Sequence, residues 1–301
     1  MSEPVTLIAG PTASGKSALA LRLAERDNAW IVNADSMQVY ADLDVLTARP
    51  PAADLARARH LLYGHVDAAE AYSVARWLDD VAGVLDTARA AGRALVIVGG
   101  TGLYFRALLG GLSKVPPIPE DVRTRIRAEA AAAASGALHA RLAALDPAMA
   151  ERLEPGDTQR IARALEVMEA TGRSLDAWQK ESGESLIGPT ARRLVLAPPR
   201  PWLHARIAER FSAMVAQGAG GEAERLLARD LDPALPAMKA IGLRELGNLD
   251  GTPECLAYAI ERATTETRRY AKRQETFFRG QLGDWPRLDP ADSAAWREAA
   301  L

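Results

Sequence analysis

Residues 10 to 17 read GPTASGKS, with Gly10 followed after four residues by Gly15, Lys16 and Ser17. This is the spacing of a phosphate-binding loop running through Gly10, Pro11, Thr12, Ala13, Ser14, Gly15, Lys16 and Ser17. Backbone N–H groups of such a loop wrap an anion, the Lys16 ammonium neutralises it, and the Ser17 hydroxyl is placed to ligate Mg²⁺. The chain holds five lysines among 37 basic residues, so a lysine at this position is a selective choice. The loop asks for a phosphate and leaves open whether ATP or another diphosphate carries it.

Two further polar positions end apolar runs. Asp35 closes AWIVNAD, where it can hold a metal, act as a general base, or cap a following helix. Thr101 follows Gly99 and Gly100 at the end of RALVIVGG, where the glycines suit a turn and the threonine can present a hydroxyl to a phosphate. A hydrolytic ATPase usually ends this strand in Asp or Asp-Glu, and LVIVGGT ends in neither, which weakens simple ATP hydrolysis.

These residues need a scaffold that brings strand ends together. VTLIAG is a β-branched apolar run leading into the loop, and KSALALRLAE after it has helical spacing, giving strand, loop, helix. AWIVNAD and RALVIVGG repeat the pattern, with SVARWLDDVAGVLDTARAAG as a helix between them. Apolar strands alternating with helices predict an α/β fold, a parallel sheet with helices on both faces as in phosphate-loop NTPases. In such a sheet, sites lie beyond the carboxyl ends of the strands, where Gly10 to Ser17, Asp35 and Thr101 all fall. After the Pro-rich hinge GGLSKVPPIPED the chain is Ala-, Arg- and Leu-rich with helical period to about Leu175, and SGESLIGPTA reads as loop. The expected organisation is a discontinuous core, 1–112 and 191–301, interrupted by an all-helical insertion, 113–190. RRLVLAPPRP reads as a strand of the resumed core, and WLHARIAERFSAMVAQG as a helix ending near Gly218. TPECLAYAIERATTETRRYAKRQETFFRGQLG reads as a long helix, and the last fifteen residues as a loose tail.

The 301 residues are 48% hydrophobic and 25% charged, ordinary for a globular protein, and the net charge of −2 supplies no general basic field. A polyanionic partner must be met by local patches. One such patch is DTQRIARALEV, where Gln159, Arg160 and Arg163 lie within one helical turn, a solvated face or an RNA contact. The other runs from Arg262 to Arg279, whose basic residues interleave with Tyr270, Phe277 and Phe278, either a phosphate-contacting surface or a helix with an aromatic core side. The four histidines lack metal-ligand spacing, and the single Cys255 excludes an internal disulfide and suits a reducing cytoplasm. MSEPVTLIAG has no basic n-region, and no window holds 18 apolar residues, so neither a signal peptide nor a membrane span is expected.

In order, GPTASGKS, NADSMQVY, TARP, HLLYGHVD, YSVARW, VIVGGTGLYFRALLGGL, QRIARALEV, KAIGLREL and TRRYAKRQETFFR resemble the tRNA dimethylallyltransferase family, also called tRNA isopentenyltransferase, over residues 5 to about 285. Arg49 stands where the family commonly has Lys, His60 where it often has two histidines, Leu243 where it has an aromatic, and Phe277 where it has Trp. The resemblance implies that the loop holds the diphosphate of dimethylallyl diphosphate, with Mg²⁺ as cofactor. The acceptor is then the N6 amine of the adenine just 3′ of the anticodon in tRNA. It further implies that Asp35 is the general base, that Ser36, Met37 and Gln38 line the RNA side, and that Thr101 meets the diphosphate near its bridging oxygen. Gln159, Arg160, Ile161, Ala162 and Arg163 then touch the anticodon arm together with Arg123, and Arg210 of RIAERF clamps the diphosphate. A monomer is expected. A small-molecule kinase with an arginine-bearing helical lid, and an RNA-binding module whose loop holds a regulatory nucleotide, are the rival readings of the same motifs.

Overall fold

A computed structural model describes residues 4–113, 115–181, 183–292, 294 and 296. Lys114 of the Pro-rich hinge, Ser182 of the SGESLIGPTA loop and the final residues of the expected tail lie outside the described residues. Two compact units emerge, one formed by residues 1–108 and 186–301, the other by 109–185. The divisions thus fall after Leu108 and after Ser185, a few residues ahead of the 112/113 and 190/191 boundaries expected from composition.

The first unit is built on a parallel sheet of β1 (Val5–Ala9), β2 (Trp30–Asn33), β3 (His60–Leu61), β4 (Leu95–Gly99), β5 (Arg192–Leu196) and β6 (Arg287–Leu288), in the order β3-β2-β4-β1-β5-β6. The central strands are apolar on both sides because both faces are covered. Ile8, Ile31, Val96 and Val98 point to one face and pack on Leu19, Ala20 and Leu23 of α1 (Lys16–Asp27). Leu7, Val32 and Ile97 alternate to the other face and are equally buried. The two strands absent from the sequence reading, β3 and β6, are two residues long and too short to show a period. The expectation of a loose tail over the last fifteen residues is corrected by β6, because Arg287 and Leu288 pair with Val195 and Leu196 at the sheet edge.

Local signals set the helices. After α2 (Ala52–Leu55), α3 (Val74–Ala90) starts where the Ser73 hydroxyl accepts from the Arg76 N–H, and α4 (Gly102–Arg106) follows β4 directly. In the second unit α5 (Glu120–Ala132), α6 (Ala137–Leu145), α7 (Pro147–Ala150), α8 (Thr158–Thr171) and α9 (Leu175–Gln179) enclose Ile126, Leu142, Ile161 and Leu165. Glu169 on α8 ties that unit by pairing with Arg125 at 2.6 Å and with Arg141. The first unit resumes with α10 (Arg200–Ala216), α11 (Ala219–Leu227), α12 (Leu243–Leu246) and the 29-residue α13 (Pro253–Gln281), capped by Thr252. None of the described helices is long and apolar enough to cross a membrane.

One buried carboxylate holds a loop that the site uses. Glu222 of α11 is 5% exposed and accepts the N–H groups of Asp44, Val45 and Leu46 at 2.9, 2.8 and 2.9 Å. Three charge-assisted bonds compensate its desolvation and order the segment leading to Thr47. Replacing Glu222 by Ala strands three amides, so Glu222→Ala is expected to destabilise the protein by about 2–4 kcal/mol. Chemical denaturation of the two proteins, read as a shift in midpoint at constant slope, checks it.

Candidate functional site

β1 ends in the phosphate loop, β2 in Asp35 and β4 in Thr101. The register pairs Ala9 with Gly99 and Asn33 with Val98, so the three strands finish at one edge. Within the loop Ala13 and Gly15 adopt φ of 64° and 88°, the left-handed turns that swing successive N–H groups toward one side. Gly15 is also the residue from which α1 departs. Lys16 is half-buried, with its Nζ donating to the Pro11 carbonyl at 3.3 Å. Ser17 is exposed on the first turn of α1. From α10, Arg206 donates to the Ala13 carbonyl at 3.2 Å and Arg210 to the Thr12 hydroxyl.

Burial shapes the charges here. It lowers the Lys16 ammonium to about 8, partly offset by the Asp35 carboxylate, which favours the cation, and reinforced by Arg210. The same desolvation lowers Arg210 to about 10, with Asp35 opposing it. Tyr63, Tyr104 and Tyr270 are all pushed up, first by burial and then by the negative charge of Asp35. Asp35 is therefore flanked by two cations and three phenols that stay protonated.

Asp35 is held by backbone and not by its carboxylate alone. Asn33, fully buried, accepts the Asp35 N–H at 2.8 Å and donates to the carbonyls of Asp35 and Leu62 at 2.9 and 3.0 Å. Trp77 donates its indole N–H to the Asn33 carbonyl at 2.9 Å. One carboxylate oxygen of Asp35 accepts the Met37 N–H at 3.0 Å in a local turn. The helix-cap alternative for Asp35 is corrected by this geometry, since residues 36–39 form turns and no helix follows. Thr101 accepts the Ser36 N–H at 2.9 Å and donates to the Ser36 hydroxyl at 3.3 Å, which sets it beside the Asp35 segment.

Two cavities meet here. One, of about 720 Å³, is floored by the phosphate loop and includes Lys16, Ser17, Gln38 and Arg206. The other, about 260 Å³ and largely apolar, is lined by Met37, Leu46, Ile207, Phe211, Ile241 and Tyr270 among others. Thr12, Asp35, Thr47 and Arg210 belong to both walls. Ser36 and Met37 face the apolar cavity, whereas Gln38 lines the loop cavity and donates to the carbonyls of Thr47 and Ala48 at 2.8 and 3.0 Å. The expected grouping of Ser36, Met37 and Gln38 on one side is thus divided.

Residues of the helical unit are placed within that unit. Gln159, Arg160 and Arg163 are exposed on α8, with Arg160 beside Asp157 at 3.4 Å and Arg163 beside Glu166 at 3.2 Å. Ile161 is fully buried and Ala162 is 8% exposed in the core of the unit, so neither side chain is available to an RNA. Arg123, half-buried, pairs with Glu120 at 2.8 Å.

Along α13 the basic and aromatic residues of this stretch separate by exposure. Arg262, Arg269, Lys272, Arg273 and Arg279 are exposed, while Phe278 is buried and Tyr270 lines the apolar cavity. The same helix explains the glycines after β4. A Cβ on Gly100 would lie 2.2 Å from the Gln274 amide, and one on Gly102 would lie 2.2 Å from the Phe277 ring. Gly100 and Gly102 are there for the close approach of α13, and the turn alone does not require them. Asn33, Arg206 and Gln274 carry no role in the sequence reading. The available signal was an amide side chain inside a series otherwise of apolar residues and threonine: Asn33 ending β2, and Gln274 in the stripe Thr267, Ala271, Gln274, Phe278.

Comparison with known proteins places this geometry. A profile of the family described as IPP transferase matches residues 38–281. A tRNA dimethylallyltransferase of Agrobacterium fabrum is 52% identical over 286 residues, 94% of this chain and 96% of that protein. One of Phenylobacterium zucineum is 52% identical over 299 residues, covering 99% and 97%. Among solved structures, a eukaryotic dimethylallyltransferase acting on tRNA superposes with a TM-score of 0.85 at 27% identity, covering 99% of this chain and 77% of that one. The full-length tRNA isopentenylpyrophosphate transferase of Bacillus halodurans gives 0.66 at 30% identity, covering 99% and 98%. With its phosphate loop, its Asp35 and Thr101 at one sheet edge and these relatives along nearly its whole length, the chain belongs to the IPP transferase family.

Proposed function

We propose that this protein transfers the dimethylallyl group of dimethylallyl diphosphate to the N6 amine of the adenine just 3′ of the anticodon in tRNA, releasing diphosphate. The observation that carries the reading is the position of Asp35 on the wall shared by the phosphate-loop cavity and the apolar cavity. A carboxylate there stands between a diphosphate on the loop and an acceptor approaching from the other side.

An exocyclic adenine amine is a poor nucleophile because its lone pair is delocalised into the ring. Asp35 accepts the N6 proton as the N6–C1 bond to the allyl group forms and the C1–O bond to the diphosphate breaks. Lys16, the loop N–H groups and Arg210 stabilise the charge gathering on the departing diphosphate, and Thr101 donates near its bridging oxygen. Ser17 is exposed at the loop, and the described residues hold no cluster of three carboxylate, imidazole or thiol groups. The Ser17 hydroxyl would hold a Mg²⁺ ion, which would supply further neutralisation of the leaving group. The target base must leave its stack to reach Asp35, at a cost of a few kcal/mol that is smaller in a loop than in a duplex. The exposed cations of α13, with Gln159, Arg160, Arg163 and Arg123 of the helical unit, offset that cost by gripping the anticodon arm. The protein works as a monomer, and in the cytoplasm, whose reducing conditions the single cysteine suits. Kinase chemistry is disfavoured by the named relatives, and simple ATP hydrolysis by the Gly-Gly-Thr in which the β4 segment ends.

Incubation of the protein and Mg²⁺ with unmodified tRNA and either dimethylallyl diphosphate or ATP, followed by digestion and mass spectrometry, tests the reading. An adenosine heavier by one C5H8 unit is expected with the allylic donor alone, and ATP consumption without that product overturns it. Asp35→Asn is expected to lower kcat by about 10²–10⁴ while tRNA affinity in filter binding stays within about twofold. For Lys16, the cation is complete below a pH of about 8 and is lost above it. Donor kcat/KM is therefore expected to fall as pH rises through that value, and in Lys16→Arg, whose side chain stays charged, this alkaline fall is expected to disappear.

A further inference from the structure

We infer that Gln274 is a positioning residue whose side-chain amide sets the phosphate loop against the Thr101 segment. Its Oε1 accepts the Thr12 N–H at 2.9 Å, and its Nε2 donates to the Gly100 carbonyl at 2.9 Å. The side chain is 5% exposed, so both bonds are made away from water, where an unmade one is costly. One end of the amide thus grips the loop after β1, and the other grips the turn after β4.

The surroundings show why the position needs one acceptor and one donor on the same side-chain end. Gly100 has no side chain, and a Cβ there would overlap the Gln274 nitrogen. Tyr270, one turn earlier on α13, lines the apolar cavity together with Thr12. Thr12 is held from its other side by Arg210, so α10 and α13 fix the same residue from two directions. The contact requires one acceptor and one donor at fixed places, which glutamine supplies. This role rests on the transferase reading for its catalytic consequence, but the loop geometry it sets is measurable without that reaction.

The test exploits proton count. A carboxylic acid at this position, when protonated, offers one acceptor and one donor like the amide; when ionised, it offers acceptors only and opposes the Gly100 carbonyl. The charged and titratable groups facing it are Asp35 beyond β2, Lys16 and Arg210 around the loop, and Tyr270 on α13 itself. Binding of inorganic diphosphate by calorimetry, and donor kcat/KM, are measured for wild type, Gln274→Glu and Gln274→Leu from acidic to alkaline pH. The ratio of Gln274→Glu to wild type is expected to approach one at the acidic end and to fall about 10–100-fold at the alkaline end. Gln274→Leu is expected to lose that amount at every pH while its tRNA affinity is kept. A ratio that does not change with pH for Gln274→Glu, or diphosphate binding by Gln274→Leu within twofold of wild type, overturns the inference. If wild type binds diphosphate but prenylates no tRNA, the transferase reading fails instead, and the diphosphate ratio still decides the role of Gln274.

Discussion

The close approach of β2 and β4 where they leave the sheet governs the rest of the structure. The Ala34 N–H donates to the Val98 carbonyl at 2.8 Å, and the Ala34 carbonyl accepts the Thr101 N–H at 3.1 Å. A Cβ on Gly99 would stand 2.0 Å from that same carbonyl oxygen, so the zipper closes only over a glycine. Asp35 and Thr101 thereby become neighbours although 65 residues separate Ser36 from Thr101 in sequence. The phosphate loop joins them because β1 pairs with β4 in parallel register. Three strand ends supply a carboxylate, a hydroxyl and an anion cradle, and no long-range loop has to find its place.

Electrostatics follows from that crowding. Two cations and one carboxylate share a partly desolvated space: Asp35 supports the charge on Lys16 and on Arg210, Arg210 works against the charge on Lys16, and Arg206 works against that on Arg210. The arrangement is incomplete as a charge balance until a polyanion arrives. An anion beside Lys16 and Arg210 would support the charge of both cations, as Asp35 does. The neutral phenols around Asp35 contribute shape and polarity without adding another negative charge at neutral pH.

Much of this was legible in the sequence, for identifiable reasons. The loop spacing and the apolar strands with β-branched residues report local physics, and the parallel sheet follows from their alternation with helices. Asp35 and Thr101 were readable because strand ends are where such a sheet builds its sites. Asn33 and Gln274 were not, because their partners lie across the fold and a single polar residue in an apolar stripe does not name them. Ile161 and Ala162 illustrate the opposite error. A motif carried over as a block includes residues that maintain its helix, and helical periodicity assigns those to the core while Gln159, Arg160 and Arg163 face solvent. The edge strands β3 and β6 fell below the length at which alternation exists.

The long helix α13 shows how the same residues can serve stability and chemistry without conflict. Its inner face repeats every three to four residues, and on that face the side chains grow larger where the sheet edge has only glycine to offer: Gln274 over Gly100, and Phe277 over Gly102. The Phe277 ring lies where any side chain on Gly102 would have to be. A side chain at Gly102 would displace the ring, shift the helix and with it the Gln274 contacts to Gly100 and Thr12. The exposed arginines Arg262, Arg269, Arg273 and Arg279 of the same helix are free of that constraint. Glycines after a strand are thus half of an interface whose other half is about 170 residues away, which is why GGTG and KRQETFF carry more information together than either does alone.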